Sequence, residues 1–134
     1  MTEGGITAAD VADFLEKGLL ENLVILFRSD PGLYPLLSEL LRDERIAVRI
    51  GASALVESLA GEGPDQAALA AGVLQPLLDS DSANVRGDAA YLLGIVGGEE
   101  VLSLLGKMSG DSDGNVRDAA AEAVESIEGR IRKG

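Results

Sequence analysis

Leu77-Leu78-Asp79-Ser80-Asp81-Ser82-Ala83-Asn84-Val85-Arg86-Gly87-Asp88-Ala89-Ala90-Tyr91-Leu92-Leu93-Gly94-Ile95-Val96-Gly97-Gly98 is written, with variations, three times along the chain. Its kernel, Val85-Arg86-x-x-Ala89, recurs as Val48-Arg49-x-x-Ala52 and as Val116-Arg117-x-x-Ala120. A Gly stands twelve residues after each Arg, at Gly61, Gly98 and Gly129. The copies start 37 and then 31 residues apart. A recurring unit of this size specifies a row of similar supersecondary pieces, none of which can hide its apolar face alone.

One register fits all three copies. Val48, Val85 and Val116 coincide, as do Ala52, Ala89 and Ala120. Leu55, Leu92 and Ala123 follow, then Val56, Leu93 and Val124, then Leu59, Val96 and Ile127. Offsets of 0, 4, 7, 8 and 11 trace one apolar stripe on an α-helix. These second helices are predicted at 45–60, 82–96 and 114–128, with Gly61, Gly98 and Gly129 in the left-handed conformation that ends a helix. A first helix precedes each. Leu36, Leu37 and Leu40 align with Val73, Leu74 and Leu77, and with Leu104, Leu105 and Met108. The first helices are predicted at 33–42, 65–79 and 99–109. Pro35 and Pro64 fall near helix starts, where a missing N–H costs nothing. Pro76 falls inside a helix and should bend it.

Residues 1–32 lack the phrase and are read as a helical cap for a row of three repeats, at about 33–61, 62–98 and 99–129, all in one domain. Thr7 and Asp10 are spaced as a capping box, so a helix is expected at 7–17, interrupted by Gly18. Leu19 to Phe27 form another helix, apolar nearly all round. It is read as a buried cap helix, with partner docking or dimerisation as the competing reading. Asp30-Pro31-Gly32 is a turn, and Tyr34 after it is a packing residue. No alternating strand pattern appears, so the fold class is all-α.

Composition narrows the chemistry. The 134 residues contain no Cys and no His, so thiol chemistry is absent, as are the commonest metal ligand and the commonest neutral-pH acid–base group. A nucleophile–base–orienter set cannot be assembled, and no carboxylate stands out from solvated helix faces. Net charge is −12. It is spread as −4, −1, −4 and −3 over residues 1–32, 33–61, 62–98 and 99–134, which reads as solubility rather than as an acidic tail. Arg130, Arg132 and Lys133 form the one basic cluster, too little for a phosphate backbone or an anionic membrane. No signal peptide is visible and no apolar run approaches membrane-spanning length, so a cytoplasmic protein is expected, with no cofactor and no metal. Asp111, Asp113, Asn115 and Glu122 fit positions 1, 3, 5 and 12 of a calcium loop, but Val116 stands where the template needs Gly.

Leu-Leu-x-Asp, a short acidic loop, Val-Arg, Ala-Ala, Leu-Leu-Gly and Gly-Gly together resemble the HEAT repeat, in the short variety of phycobilin lyases and many bacterial proteins. The resemblance covers residues 33–129. It implies an α-α superhelix, a solenoid of antiparallel helix pairs, and most such proteins bind other proteins. HEAT-fold hydroxylases hold iron with His and Glu, which a chain without His cannot do. HEAT-fold DNA glycosylases use a basic, aromatic groove that is missing here. A non-enzymatic scaffold is therefore expected. An accessory or lyase-like factor holding a pigment or small ligand is the first alternative, and a self-associating structural protein the second.

Arg49, Arg86 and Arg117 recur in every copy, as a structural ladder requires, with Asp79, Asp81, Asp111 and Asp113 as expected partners. An anion-binding row is the competing reading. Positions that vary between copies lie off the buried stripe, on the second helices that line the concave face of such solenoids. The candidate partner-binding residues are Ile50, Ala54, Glu57, Asp88, Tyr91, Ile95, Asp118 and Glu122. An apolar centre at Tyr91 and Ile95 with an acidic rim suits a basic or amphipathic segment of another protein. Equally, Tyr91 packs against a neighbouring helix.

Overall fold

A computed structural model describes residues 5–134, so the first four residues of the expected cap lie outside the described residues. Eight α-helices and no strand are found among the described residues. They are α1 Ala8–Glu16, α2 Leu20–Ser29, α3 Leu36–Leu41, α4 Ile46–Ala60, α5 Pro64–Leu74, α6 Ala83–Val96, α7 Leu102–Lys107 and α8 Gly114–Lys133. None is long and apolar enough to cross a membrane. The chain divides into two compact units, residues 1–69 and 70–134, and the division falls inside α5.

In the first unit α1 starts on the expected capping box. The Asp10 N–H donates to the Thr7 hydroxyl oxygen, and the Thr7 N–H to the Asp10 carboxylate. Gly18, at a φ of +77°, ends the helix and makes α1 and α2 two separate elements. Helices α1, α2 and α3 all pack on α4. The shared core holds Val11, Leu23, Phe27 and Leu37 against Val48, Ala52, Leu55 and Leu59, all buried. Helix α2 buries Leu23 and Phe27 but leaves Ile25 exposed, so it is not covered all round. Asp30 accepts a bond from the Gly32 N–H in the turn before α3. Tyr34 is buried edge-on to Phe27, ring centroids 5.8 Å apart, and its hydroxyl donates to Gln66.

In the second unit α6 packs along α8, and α7 lies against α8. A 3₁₀ turn at Gln75–Asp79 carries Pro76 at its start and packs on α6, so the expected bend is a change of helix type. The apolar stripe is buried in all three copies, Val124 alone being half-buried. The shared small position is closed to solvent at Ala52, Ala89 and Ala120.

The repeat glycines behave differently from expectation. None takes positive φ: among the described residues, Gly18 and Gly63 do, the latter just before Pro64. Gly61 caps α4 in a right-handed conformation, with its N–H on the Glu57 and Ser58 carbonyls. Gly98 is extended and leads into a 3₁₀ turn at Glu99–Val101. Gly129 lies inside α8, which runs on to Lys133. The reason for this last difference is tertiary. Arg130 donates 2.7 Å bonds from its guanidinium to the carbonyl oxygens of Gly94 and Gly97, which anchors the extra turns of α8 to the end of α6.

Candidate functional site

The loop before each second helix decides where the recurring Arg goes. In every copy its guanidinium reaches back six residues to a main-chain oxygen. Arg49 donates to Asp43 at 2.7 Å, Arg86 to Ser80 at 2.9 Å and Arg117 to Asp111 at 2.7 Å. This is a local device that closes the loop and orients the first turn. Arg86 goes further and forks onto the Asp111 carboxylate, Nε to Oδ2 at 2.9 Å and Nη2 to Oδ1 at 3.0 Å. That bond holds the Asp111 carboxyl below the usual carboxylate range, helped by the Asp113 N–H.

The other expected rungs are placed differently. Asp81 accepts from Arg86 through its carbonyl, not its carboxylate. Asp113 caps α8, its Oδ1 accepting from the Asn115 and Val116 N–H groups at 2.8 and 3.1 Å. Asp79 is exposed at the end of its 3₁₀ turn. Asp43, aligned with Asp111, holds Arg45 at 3.0 Å, and that bond lowers its carboxyl. The aligned residue of the middle copy is Ser80, which has no charge to offer. Sequence register aligns the three arginines but shows neither their carbonyl contacts nor which of them forks onto a carboxylate.

Of the variable residues, Ile50 and Glu57 are exposed on α4 and Ala54 is half-buried there. Ile50 is 65% exposed, and Ile46 one turn before it is 64% exposed. Ile46 lies outside the repeat register, and its spacing to Ile50 was the signal that marks it. On the second unit Tyr91 is 51% exposed, Ile95 and Asp88 are half-buried, and Asp118 and Glu122 are exposed.

Tyr91 stands between two hollows along the α6–α8 seam. One, of about 260 Å³, is lined by Gly87, Asp88 and Tyr91 with Asp113, Asn115 and Ala119. The other, of about 80 Å³, is lined by Tyr91, Gly94 and Ile95 with Glu122 and Ala123. The seam is narrow because its residues are small. A Cβ on Gly94 would stand only 2.8 Å from the Ala123 Cα. The structure thus brings Asp88, Tyr91, Ile95 and Glu122 to one groove, and Asp118 is not among its lining residues. A third hollow, about 420 Å³, lies between the Gln75–Asp79 turn and α7, with Leu78, Leu104 and Met108 beside Asp79, Lys107 and Asp111. Of the calcium-template residues, Asp111 is taken by Arg86 and Glu122 sits far along α8 from the Asp113 cap. The groove offers an exposed ring, a half-buried aliphatic chain and carboxylates.

A family model described as HEAT repeats matches residues 33–125, well over half of the chain. No curated protein matches it.

Proposed function

The chain belongs to the HEAT-repeat family, and from that premise we propose that it is a non-enzymatic scaffold that binds another protein through its second helices. Repeats of this family generally serve as protein-interaction scaffolds. Three copies, at about 33–61, 62–98 and 99–129 behind a helical cap, form the working part in this reading. The stripe that recurs in every copy is consumed by burial. The positions left to vary are the ones free to encode a partner.

The observation that carries the reading is Tyr91, half exposed between two hollows on the α6–α8 seam, with Ile95 one turn on and carboxylates around it. Large aromatic side chains supply most of the energy at the centre of such contacts, and a polar rim excludes water around them. The partner segment is basic or amphipathic, to match the rim of Asp88 and Glu122.

The test is affinity capture from the native cell with wild-type and Tyr91→Glu protein side by side, followed by mass spectrometry. A partner retained by the wild type and lost from Tyr91→Glu, with the helical circular dichroism unchanged, supports the reading. Equal recovery by both removes this face as the site.

A further inference from the structure

We infer that the hollow of about 420 Å³ between the Gln75–Asp79 turn and α7 binds a free aliphatic α-amino acid, seated as its zwitterion. The hollow lies wholly within the second unit and away from the Tyr91 seam, so the inference does not rest on the scaffold reading. Its size falls within the roughly 300–1,000 Å³ of small-molecule sites, which the two seam hollows do not reach.

The floor is apolar. Leu104 and Met108 stand one helical turn apart on the α7 side, with Leu78 on the other. Leu78 and Met108 are buried and Leu104 is half-buried, so the floor belongs to the packed unit and exists before a ligand arrives. The unbranched Met108 side chain adapts its shape to an aliphatic guest.

Opposite charges stand on the two walls, Asp79 on the turn and Lys107 at the end of α7. Both are exposed, and among the described residues neither forms an ion pair or a side-chain hydrogen bond, with the other or with a third group. The remaining charged lining residue, Asp111, is matched by the Arg86 fork. The hollow therefore presents one cation and one anion over an apolar floor. A ligand with an anion alone would meet Asp79, in a chain that already carries −12, and one with a cation alone would meet Lys107. An α-amino acid answers both charges. Its carboxylate accepts from the Lys107 ammonium, its own ammonium donates to the Asp79 carboxylate, and its side chain covers the floor. Gln75, half-buried on the same lining, offers an amide donor and acceptor to the polar edges that remain.

The experiment is an NMR titration of the ¹⁵N-labelled full chain with leucine, N-acetyl-leucine, leucine amide and glycine. The last three each lack one feature: the ammonium, the carboxylate or the apolar side chain. Saturable shifts centred on the amides of Asp79, Leu104 and Met108 are expected with leucine, weaker binding with the two blocked forms, and none with glycine. Lys107→Gln and Asp79→Asn, both at exposed positions and checked for unchanged circular dichroism, should each weaken leucine binding about two- to fivefold, the range of an exposed ion pair. Lys107→Gln should not weaken leucine amide, nor Asp79→Asn N-acetyl-leucine, because the group each would have bonded is already missing. No saturation by leucine below about 20 mM, binding of a blocked form or of glycine as tight as that of leucine, or an unchanged leucine affinity in both variants would overturn the assignment.

Discussion

Replacing Gly94 with alanine adds one methyl group at the tightest point of the α6–α8 seam. The new Cβ would stand 2.8 Å from the Ala123 Cα and 2.9 Å from its Cβ, well inside the roughly 3.5–4.0 Å of carbon–carbon contact. The obstacle is main chain, so no rotamer change relieves it. The two helices must separate along the principal contact of the second unit. Overpacking of this kind costs about 1–3 kcal/mol, and a rigid main-chain obstacle places it toward the upper end. Glycine to alanine inside a helix returns about 1 kcal/mol. The net expectation is a loss of about 1–2 kcal/mol, or about 4–8 °C in Tm for a chain of this size. Gly72 in α5 supplies the control, because a Cβ there meets no heavy atom within 4 Å. Gly72→Ala should stabilise by about 0.5–1 kcal/mol. Urea and thermal unfolding followed by circular dichroism measure both. If Gly94→Ala proves as stabilising as Gly72→Ala, the seam is not close-packed at this point and the account of the groove is wrong.

Arg130→Met keeps the stem of the side chain but removes both bonds to the end of α6; about 1 kcal/mol should be lost, discounted for exposure. Faster amide exchange at Val96 and Gly97 would report it. The Arg86–Asp111 pair gives an acid-limb prediction. Because Arg86 lowers the Asp111 carboxyl in the folded chain, the stabilisation is present above the ordinary Asp value of 3.8 and is lost as pH falls through the folded value. Asp111→Asn should be less stable than wild type at neutral pH, with the difference shrinking below about pH 4, as unfolding at a series of pH values will show. Tyr34→Phe removes the bond to Gln66 and should cost about 1 kcal/mol at pH 7. Burial raises the Tyr34 hydroxyl above its usual value of 10.0. The unfolded chain therefore releases that proton first, and wild type should lose stability above pH 10 more steeply than the Phe variant.

Much of the architecture is readable in the chain alone. The offsets that align Val48, Val85 and Val116 predict a buried stripe, and those residues are buried. Thr7 and Asp10 fix the start of α1, and Pro76 marks where α-helix gives way to a 3₁₀ turn. These signals act over a turn or two of helix, so they are written in neighbouring residues. The fate of Gly61, Gly98 and Gly129 is not, because the way a helix ends depends on what its last carbonyls find.

The distinction is plainest in the three arginines and the variable residues. Their reach to a carbonyl six positions back is local and repeats. The fork from Arg86 to Asp111 crosses 25 residues, whereas the similar fork from Arg45 to Asp43 spans two. Arg130 was legible only as part of a basic C-terminal cluster, yet it closes the end of α6 from 33 and 36 residues away. Asp88, Tyr91 and Ile95 share one face of α6 by their spacing, but the close approach of Gly94 to Ala123 is what brings Glu122 of α8 to the same seam. Periodicity determined which side of each helix is hidden. Packing between helices decided which exposed residues meet, because helix spacing is set by side-chain volume at the seam and not by the pattern along either helix.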